Sequence, residues 1–211
     1  MPISRSKFLS LTLVLVGLVI AGAGVASAQD VYKVNYFDFN APTLGGLPVP
    51  DATVRIDNPG LTYGNLCAMI YVFAADQQLA ECCGCVETHN GLRRLSVRNN
   101  LTSNTLTGAI PGPPPSPIFS GVIKVVSAAV NAGAGCDPTA NVTPKANLRV
   151  WATHIQPGSS FGTFALVWPV TETESSDSTL GATELANLQA QCAFINILGS
   201  GHGICSCGTG D

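Results

Sequence analysis

The sequence predicts an all-β fold: a disulfide-stapled β-sandwich of about eight strands, Ig-like or jelly-roll-like, with one C-terminal helix. Short apolar or alternating segments recur between turn signals, which is typical of a sandwich rather than of alternating β and α units. The chain holds 8 cysteines, and an even number favours disulfides if the protein is exported. One later segment has the period of a helix instead.

The candidate strands are apolar or alternating runs bounded by turn residues. The run at 66–75, LCAMIYVFAA, is almost wholly apolar, as is typical of a central strand covered on both faces. Residues 76–78, DQQ, predict a hairpin connection, and the Asn-Gly pair at 90–91 is a strong turn signal. The candidate strands span 31–39, 52–57, 66–75, 79–88, 92–101, 121–130, 146–155 and 162–173.

The segment 183–198, TELANLQAQCAFINIL, has apolar side chains three and four residues apart. This period predicts a helix that packs one apolar stripe against the sandwich, with Thr183 or Ser178 as the possible N-cap. Glycines at 199, 201 and 203 would end the helix and let the chain turn. The stripe consists of Leu185, Leu188, Cys192 and Ile195.

The N-terminus has the order of a secretory signal peptide, predicted to span 1–28. Arg5 and Lys7 precede an uncharged apolar run, and Ala26-Ser27-Ala28 supplies a cleavage site. A membrane-spanning anchor is the alternative, but the apolar run is short for that. We expect cleavage to leave one domain at 29–211 that is secreted or held at the cell surface, or else periplasmic, without membrane insertion.

A proline-rich stretch at 111–117, PGPPPSP, interrupts the series of strands. Polyproline segments are stiff and extended, so it could link two domains. The halves on either side look too small to form separate cores, which favours a stiff exposed loop within one domain.

The low charge of the chain excludes some partners. Lys and Arg number 10 and Asp and Glu 13, and charged residues make up only 11% of the chain. Since no basic patch is present to neutralise phosphates, we predict no nucleic-acid partner. A weakly charged surface gives little repulsion between copies, so self-assembly or a surface partner is a possibility.

The cysteines are arranged for disulfides rather than for a metal. Structural zinc sites usually have C-x₂-C pairs, whereas the spacings here are C-C-x-C and C-x-C. On a strand, Cys83 and Cys85 share one face and Cys82 points the other way, which suits bridges to different partners. We therefore predict four disulfides and no metal or cofactor, with a redox-active thiol as a further alternative. The cysteines are Cys67, Cys82, Cys83, Cys85, Cys136, Cys192, Cys205 and Cys207.

The sequence leaves the disulfide pairing open, although hairpin geometry suggests one set. A turn near residues 76–77 would place Cys67 opposite residues 85–86. The C-terminal tail could lie beside the CC-x-C segment. The resulting set is Cys67–Cys85, Cys136–Cys192, and Cys82 and Cys83 with Cys205 and Cys207.

Several segments together resemble a known group of proteins. They are NLCAMIYVF, ECCGCVET, NGLRRLSV, LRVWATHIQ and a closing QCAF…GSGHGICSCG. The chain resembles a group of uncharacterised exported bacterial proteins with a CC-x-C motif and a C-terminal C-S-C-G. The resemblance covers most of the chain after the signal peptide. It implies export and a disulfide framework, and it implies no catalytic or binding residue.

The three histidines are the first candidates for chemistry. His89 lies in the turn ETHNG, which predicts a solvated residue rather than a metal ligand or general base. His154 ends a strand, and we expect a satisfied or half-exposed sheet histidine. His202 lies between glycines, which allow close backbone approach to a ligand or simply a flexible loop; the loop is favoured.

Other chemistry-bearing residue types form no recognisable site. Ser200 is not in a G-x-S-x-G turn, so a serine nucleophile is unsupported. Glu172, Glu174 and Asp177 form a short acidic run, which predicts a solvated edge. The two tryptophans, Trp151 and Trp168, lie on neighbouring candidate strands and are expected in the core rather than on a sugar-binding surface.

The sequence therefore predicts an exported, non-enzymatic structural, adhesive or assembly protein. The first alternative is an extracellular module that binds a glycan or small ligand through loops near 111–117 or His202. The second is an extracytoplasmic enzyme or metalloprotein that uses His89, His154 or His202.

Overall fold

The computed structural model describes residues 30–38, 50–61, 64–102, 120–131, 135–140, 142–156, 159–161, 165–197 and 204–208. The predicted signal peptide at 1–28, the proline-rich stretch at 111–117 and His202 lie outside them. The elements within these ranges are β1 (Tyr32–Asp38), β2 (Thr53–Asp57), β3 (Leu66–Ala74), β4 (Leu79–Glu87), β5 (Leu92–Ser96), a π-helical turn π1 (Val97–Leu101), β6 (Ser120–Ala129), β7 (Arg149–Ile155), β8 (Ser159–Phe161), β9 (Ala165–Val167), β10 (Val170–Glu174), β11 (Ser176–Ser178) and α1 (Ala182–Ile197).

Nine strands form one sheet in the order β4-β3-β6-β1-β7-β2-β5, with β10 paired to β7 and β11 to β1. Neighbours are antiparallel except β1 and β7, which meet in parallel at Asp38 and His154. The sheet folds over itself, so that β4, β3, β6 and β1 form one wall and β7, β2 and β5 the other. This confirms the disulfide-stapled all-β fold with a C-terminal helix, and the two walls belong to one continuous, barrel-like sheet.

The main core lies between the two walls. Alternate residues of β3, including Ile70 and Val72, are fully buried there against Val54 and Ile56 of β2 and Leu95 of β5. Alternate residues of a strand point to opposite faces, so this arrangement follows from the period of two. Each such side chain contributes about 1.5–3 kcal/mol when it is fully removed from water.

A second core lies on the outer face of the first wall, under α1. Met69 and Tyr71 of β3 pack there with Leu188 and Cys192 of the helix. The Tyr71 hydroxyl donates a hydrogen bond to the carbonyl oxygen of Pro138 at 2.9 Å, and burial raises the pKa of this phenol. Strand β3 is therefore covered on both faces, as its almost wholly apolar sequence predicts.

The C-terminal tail, defined as residues 204–208, closes the sheet by lying between β4 and β5. Ile204 forms a parallel bridge with Cys82 of β4. On the other side, the Ser206 backbone N–H donates to the Asn100 carbonyl oxygen at 2.8 Å. The consecutive strands β10 and β11 join the walls on the opposite side, since one pairs with β7 and the other with β1.

The predicted strand at 92–101 ends early because polar side chains take over its backbone hydrogen bonds. The Ser96 hydroxyl accepts a hydrogen bond from the Asn99 N–H at 2.8 Å, and the Asn100 side chain accepts one from the Ser96 N–H at 2.8 Å. Such local bonds compete with the strand ladder. The chain forms π1 instead, with Val97 and Leu101 buried.

The β3–β4 connection confirms the turn predicted at 76–78, and it holds Gln77 at a φ of 72°. We expect Gln77→Gly to raise the free energy of unfolding by roughly 0.5–1 kcal/mol, because glycine adopts this left-handed conformation without a steric penalty. Gln78→Gly is the matched control and should lower it by about 0.5 kcal/mol through backbone entropy. Urea unfolding measures both. Equal losses for the two variants would contradict the prediction.

Candidate functional site

All eight cysteines form disulfides, which confirms the predicted framework. Of the suggested pairing, only the link from Cys83 to the tail is present, with Cys205 as the partner, and the rest of that set is wrong. The four disulfides are Cys67–Cys136, Cys82–Cys192, Cys83–Cys205 and Cys85–Cys207.

The suggested Cys67–Cys85 bridge does not form because the register of β3 and β4 is offset by one residue from the one that the bridge requires. Cys67 pairs with Val86, and Cys85 pairs with Ala68. Adjacent positions face opposite sides of a sheet, so an offset of one residue separates the two sulfurs. Cys67 belongs to the core under α1, whereas Cys85 belongs to the core between the walls.

The CC-x-C segment sends its sulfurs to both faces, as predicted. Cys82 faces α1 and holds the helix through Cys192, while Cys83 and Cys85 face the main core. The suggested bridges of Cys82 to the tail and of Cys136 to Cys192 are therefore corrected.

The glycine within this segment allows a close backbone approach. A Cβ on Gly84 would lie 1.9 Å from the carbonyl oxygen of Cys136. The chain that carries Cys136 to Cys67 passes directly over Gly84, so that only glycine fits at this position.

The tail follows β4 in constant register. The disulfides of Cys205 and Cys207 each join residues 122 positions apart, and the Cys82–Ile204 bridge has this same offset, 204 minus 82. Because the two segments run in parallel, the C-x-C of β4 and the C-x-C of the tail lie side by side. The sulfurs of Cys83, Cys85 and Cys207 all lie within 4.8 Å of one another.

Arg93 lies on β5 and donates hydrogen bonds both to β4 and to the tail, so it links all three segments. Its guanidinium donates to Glu87 Oε1 at 2.6 Å and to the Val86 carbonyl oxygen at 2.8 Å, and it also donates to the Cys207 carbonyl oxygen. Burial raises the pKa of the Glu87 carboxyl, and Arg93 opposes that rise. This ion pair sits in a buried site, so losing either member is costly.

Glu81 of β4 is fully buried, and neither carboxyl oxygen has a hydrogen-bond partner among the described residues. Burial raises the pKa of this carboxyl to about 9, so that it is protonated at neutral pH. Glu81 lies two residues before Cys83, and the period of the strand therefore places both on one face. The sequence reasoning missed this residue, although that spacing could have indicated it.

Of the three histidines, the structure describes His89 and His154, and each lies in a turn or strand of the sheet. His89 lies exposed in the β4–β5 turn, and its backbone N–H donates to Asn65 Oδ1 at 3.2 Å. His154 is buried, with its ring stacked on Tyr36 at 3.8 Å between centroids and its Nε2 2.7 Å from Thr173 Oγ1. Burial lowers the pKa of His154, against the charge of Asp38, and this favours a neutral ring.

The two described histidines lie at opposite ends of β2. Its last residue, Asp57, pairs with Leu92 next to the turn of His89, whereas the start of β2 pairs with β7 just before His154. A shared metal or acid–base site for these two side chains is incompatible with that placement.

The acidic run forms ion pairs along β10 and β11. Glu172 pairs with Arg55, and Glu174 with Arg149 at 2.9 Å. Such exposed pairs contribute at most about 1 kcal/mol each. The Arg149 guanidinium also lies 5.0 Å from the ring centroid of Trp151 and covers the face on which a sugar would stack.

The outer face of α1 is uncharged and exposes two large apolar side chains among small and polar ones. Phe194 is 63% exposed and Ile197 82% exposed, and the single charged residue of the helix is Glu184. A groove of about 490 Å³ lies beside Phe194, between the helix and the β3–β4 hairpin, and Leu79 and Ile195 supply apolar lining. Sequence reasoning found only the inward stripe of this helix, although the lack of charge after Glu184 marks the second one.

Comparison with protein-family models, with characterised proteins and with solved structures finds no match to this chain. Within the described part of the chain, no helix is both long enough and apolar enough to span a membrane. The functional proposal below is therefore argued from the contacts and exposed surfaces of this chain.

Proposed function

We propose that this protein is an exported, non-enzymatic assembly module whose copies associate through the outer face of α1. The observation that supports this function most is the exposed apolar pair Phe194 and Ile197 beside an open groove. Exposed apolar patches of this kind mark interaction surfaces in soluble proteins.

One stripe of exposed residues on α1 has symmetric spacing, which favours a second copy as the partner. Thr183, Ala186, Ala190, Phe194 and Ile197 form this stripe, at successive spacings of 3, 4, 4 and 3 residues, with the exposed polar residues Asn187 and Gln191 beside it. In an antiparallel pair with a two-fold axis at Ala190, each Phe194 lies opposite the partner's Ala186, and each Ile197 opposite the partner's Thr183. Large side chains then meet small ones, as a self-complementary two-fold interface requires.

The charge distribution agrees with this partner. Glu184 is directed at the protein itself, since it accepts hydrogen bonds from Tyr32 at 2.9 Å and Lys124 at 2.7 Å. Lys124 holds the pKa of this carboxyl below its usual range. Pairing two copies along the stripe would therefore bury no unpaired charge of the helix, and such burial is what most often opposes association.

Export is the other half of the proposal. Four disulfides are typical of proteins that reach an oxidising compartment, and the predicted signal peptide and the resemblance to exported bacterial proteins point the same way. A secreted or cell-surface location follows from these expectations, with the periplasm as the alternative. Among the described residues, the covered ring of Trp151 gives the glycan-binding alternative less support.

We expect the mature, oxidised protein to form dimers in native mass spectrometry and light scattering. Phe194→Ser should weaken the dimer at least about tenfold, because a central aromatic side chain supplies much of the binding energy. Ala190→Arg should abolish it by placing two like charges at the axis. Leu61→Ser is the matched control, since Leu61 is exposed and follows β2, a strand that contributes nothing to the core under α1. A wild-type protein that stays monomeric, or equal effects of Phe194→Ser and Leu61→Ser, would refute this mode of assembly.

A further inference from the structure

We infer that the four cysteines joining the tail to β4 form a binding site for a thiophilic divalent metal, such as Zn²⁺, when their two disulfides are reduced. The oxidised protein uses Cys83, Cys85, Cys205 and Cys207 as disulfides. The reduced chain offers the same four sulfurs as thiolates, the ligand that Zn²⁺ prefers in structural sites. A newly made chain passes through this reduced state before it reaches an oxidising compartment.

The positions of the sulfurs support a tetrahedral site. Those of Cys83, Cys85 and Cys207 lie within 4.8 Å of one another. In a tetrahedral site with zinc–sulfur bonds of about 2.3 Å, neighbouring sulfurs are about 3.8 Å apart. Small rotations of three side chains therefore suffice. Cys205, which is bonded to Cys83 in the oxidised protein, is the fourth ligand once that bond is broken.

The backbone selects these four cysteines from the eight. Each segment supplies a C-x-C pair on one face, and the constant offset of 122 residues holds the two pairs side by side. Cys82 is excluded because it faces α1. The sequence argument against zinc rested on the C-C-x-C and C-x-C spacings and on the opposite direction of Cys82. It treated the two segments separately, whereas the structure places their C-x-C pairs side by side.

The surroundings favour a soft metal over a hard one. Cys83, Cys85 and Cys205 are buried, and thiolates prefer Zn²⁺ to Mg²⁺ or Ca²⁺. A zinc ion with four thiolates carries a net charge of −2, and the Arg93 guanidinium, which also pairs with Glu87, donates to the Cys207 carbonyl oxygen beside it.

The two states of the site exclude each other chemically. A dithiol reductant gives two electrons and two protons to each disulfide and itself becomes a disulfide, leaving two protein thiols. Metal binding then displaces the thiol protons. Two equivalents of a disulfide donor reverse this: the four thiolates become two protein disulfides, the donor leaves as four thiolates, and the metal is released.

The test is a site-resolved alkylation map of the full mature chain. The protein is first reduced with a phosphine, which becomes a phosphine oxide by taking its oxygen from water. The reduced protein is then treated with one equivalent of Zn²⁺ and afterwards with iodoacetamide. We expect alkylation of the four proposed ligands to slow at least about tenfold. The other four cysteines should react at the rate found without metal. Native mass spectra should show one Zn²⁺ per reduced chain and none on the oxidised protein.

Two double variants make the result specific. Cys67→Ser with Cys136→Ser removes a disulfide outside the site and should retain one Zn²⁺ per reduced chain. Cys85→Ser with Cys207→Ser removes two ligands and should lose it. The map remains informative if the reduced chain is unfolded, because metal binding can itself order such a site. Protection spread over all eight cysteines, protection of none, or Zn²⁺ retained without Cys85 and Cys207 would overturn the inference.

Discussion

Replacing Glu81 by glutamine is expected to stabilise the protein at neutral and alkaline pH and to leave it unchanged in acid. Burial raises the pKa of the Glu81 carboxyl from 4.5 to about 9. Between these two values the unfolded chain releases the proton and the folded protein keeps it. The free energy of unfolding therefore falls as the pH rises, by up to about 1.4 kcal/mol per pH unit. The loss is absent below the lower value and complete above the upper one.

Glutamine has the same shape and cannot ionise, so Glu81→Gln removes only the pH-dependent loss. At pH 7 the variant should exceed the wild type by on the order of 3 kcal/mol in free energy of unfolding. Urea unfolding of the oxidised proteins from pH 4 to pH 9 measures this difference. Glu174→Gln is the matched control, because Glu174 forms an exposed ion pair and should change stability by less than about 1 kcal/mol. Parallel curves for wild type and Glu81→Gln would show that the buried carboxyl is not held neutral.

Local elements could be predicted from the sequence because their signals are local. The strand predicted at 66–75 is Leu66–Ala74, and the helix predicted at 183–198 is Ala182–Ile197. Periodicity and turn residues determine such elements within a few neighbouring positions. The same signals failed at 162–173, where the single predicted strand is replaced by β9, which pairs with the preceding β8, and by β10.

The disulfide pairing depended on faces and on distant neighbours. The hairpin estimate for Cys67 was correct to one residue, yet one residue decides which core a side chain enters. The equal C-x-C spacings in β4 and in the tail could have indicated the bridges of Cys83 and Cys85, since both pairs present two sulfurs on one face. The bridge of Cys82 to α1 required the position of the helix, which no local pattern contains.

The buried carboxyl and the exposed helix face on which the proposals rest depend on tertiary packing. A glutamate in a strand is ordinarily exposed, and the burial of Glu81 is a property of the assembled fold rather than of its own segment. On α1 the inward stripe already accounted for the helix period, so the lack of charge after Glu184 was the one sequence signal for the exposed outer face.

Arg93 supplies the side-chain hydrogen bond from β5 to the tail, and Arg93→Met is expected to lower the free energy of unfolding by about 3–5 kcal/mol. The substitution leaves Glu87 buried without its cation and removes the donor to the Cys207 carbonyl oxygen. Arg93 opposes the effect of burial on the pKa of Glu87, so in its absence that pKa rises further. The loss should therefore be largest at neutral pH and above, and smaller in acid, where unfolded and folded chains both hold the proton.

Arg94→Met is the matched control, because Arg94 is the exposed neighbour of Arg93 and its loss should change stability by no more than about 0.5 kcal/mol. Glu87→Met combined with Arg93→Met should recover part of the loss, since two apolar side chains leave no buried charge unpaired. Urea unfolding of the oxidised proteins measures all three variants with the tail disulfides intact. The cost of Arg93→Met then reports the contacts of Arg93 alone, because both disulfides still hold the tail beside β4. A loss equal to that of Arg94→Met would mean that the disulfides close the sheet without help from Arg93.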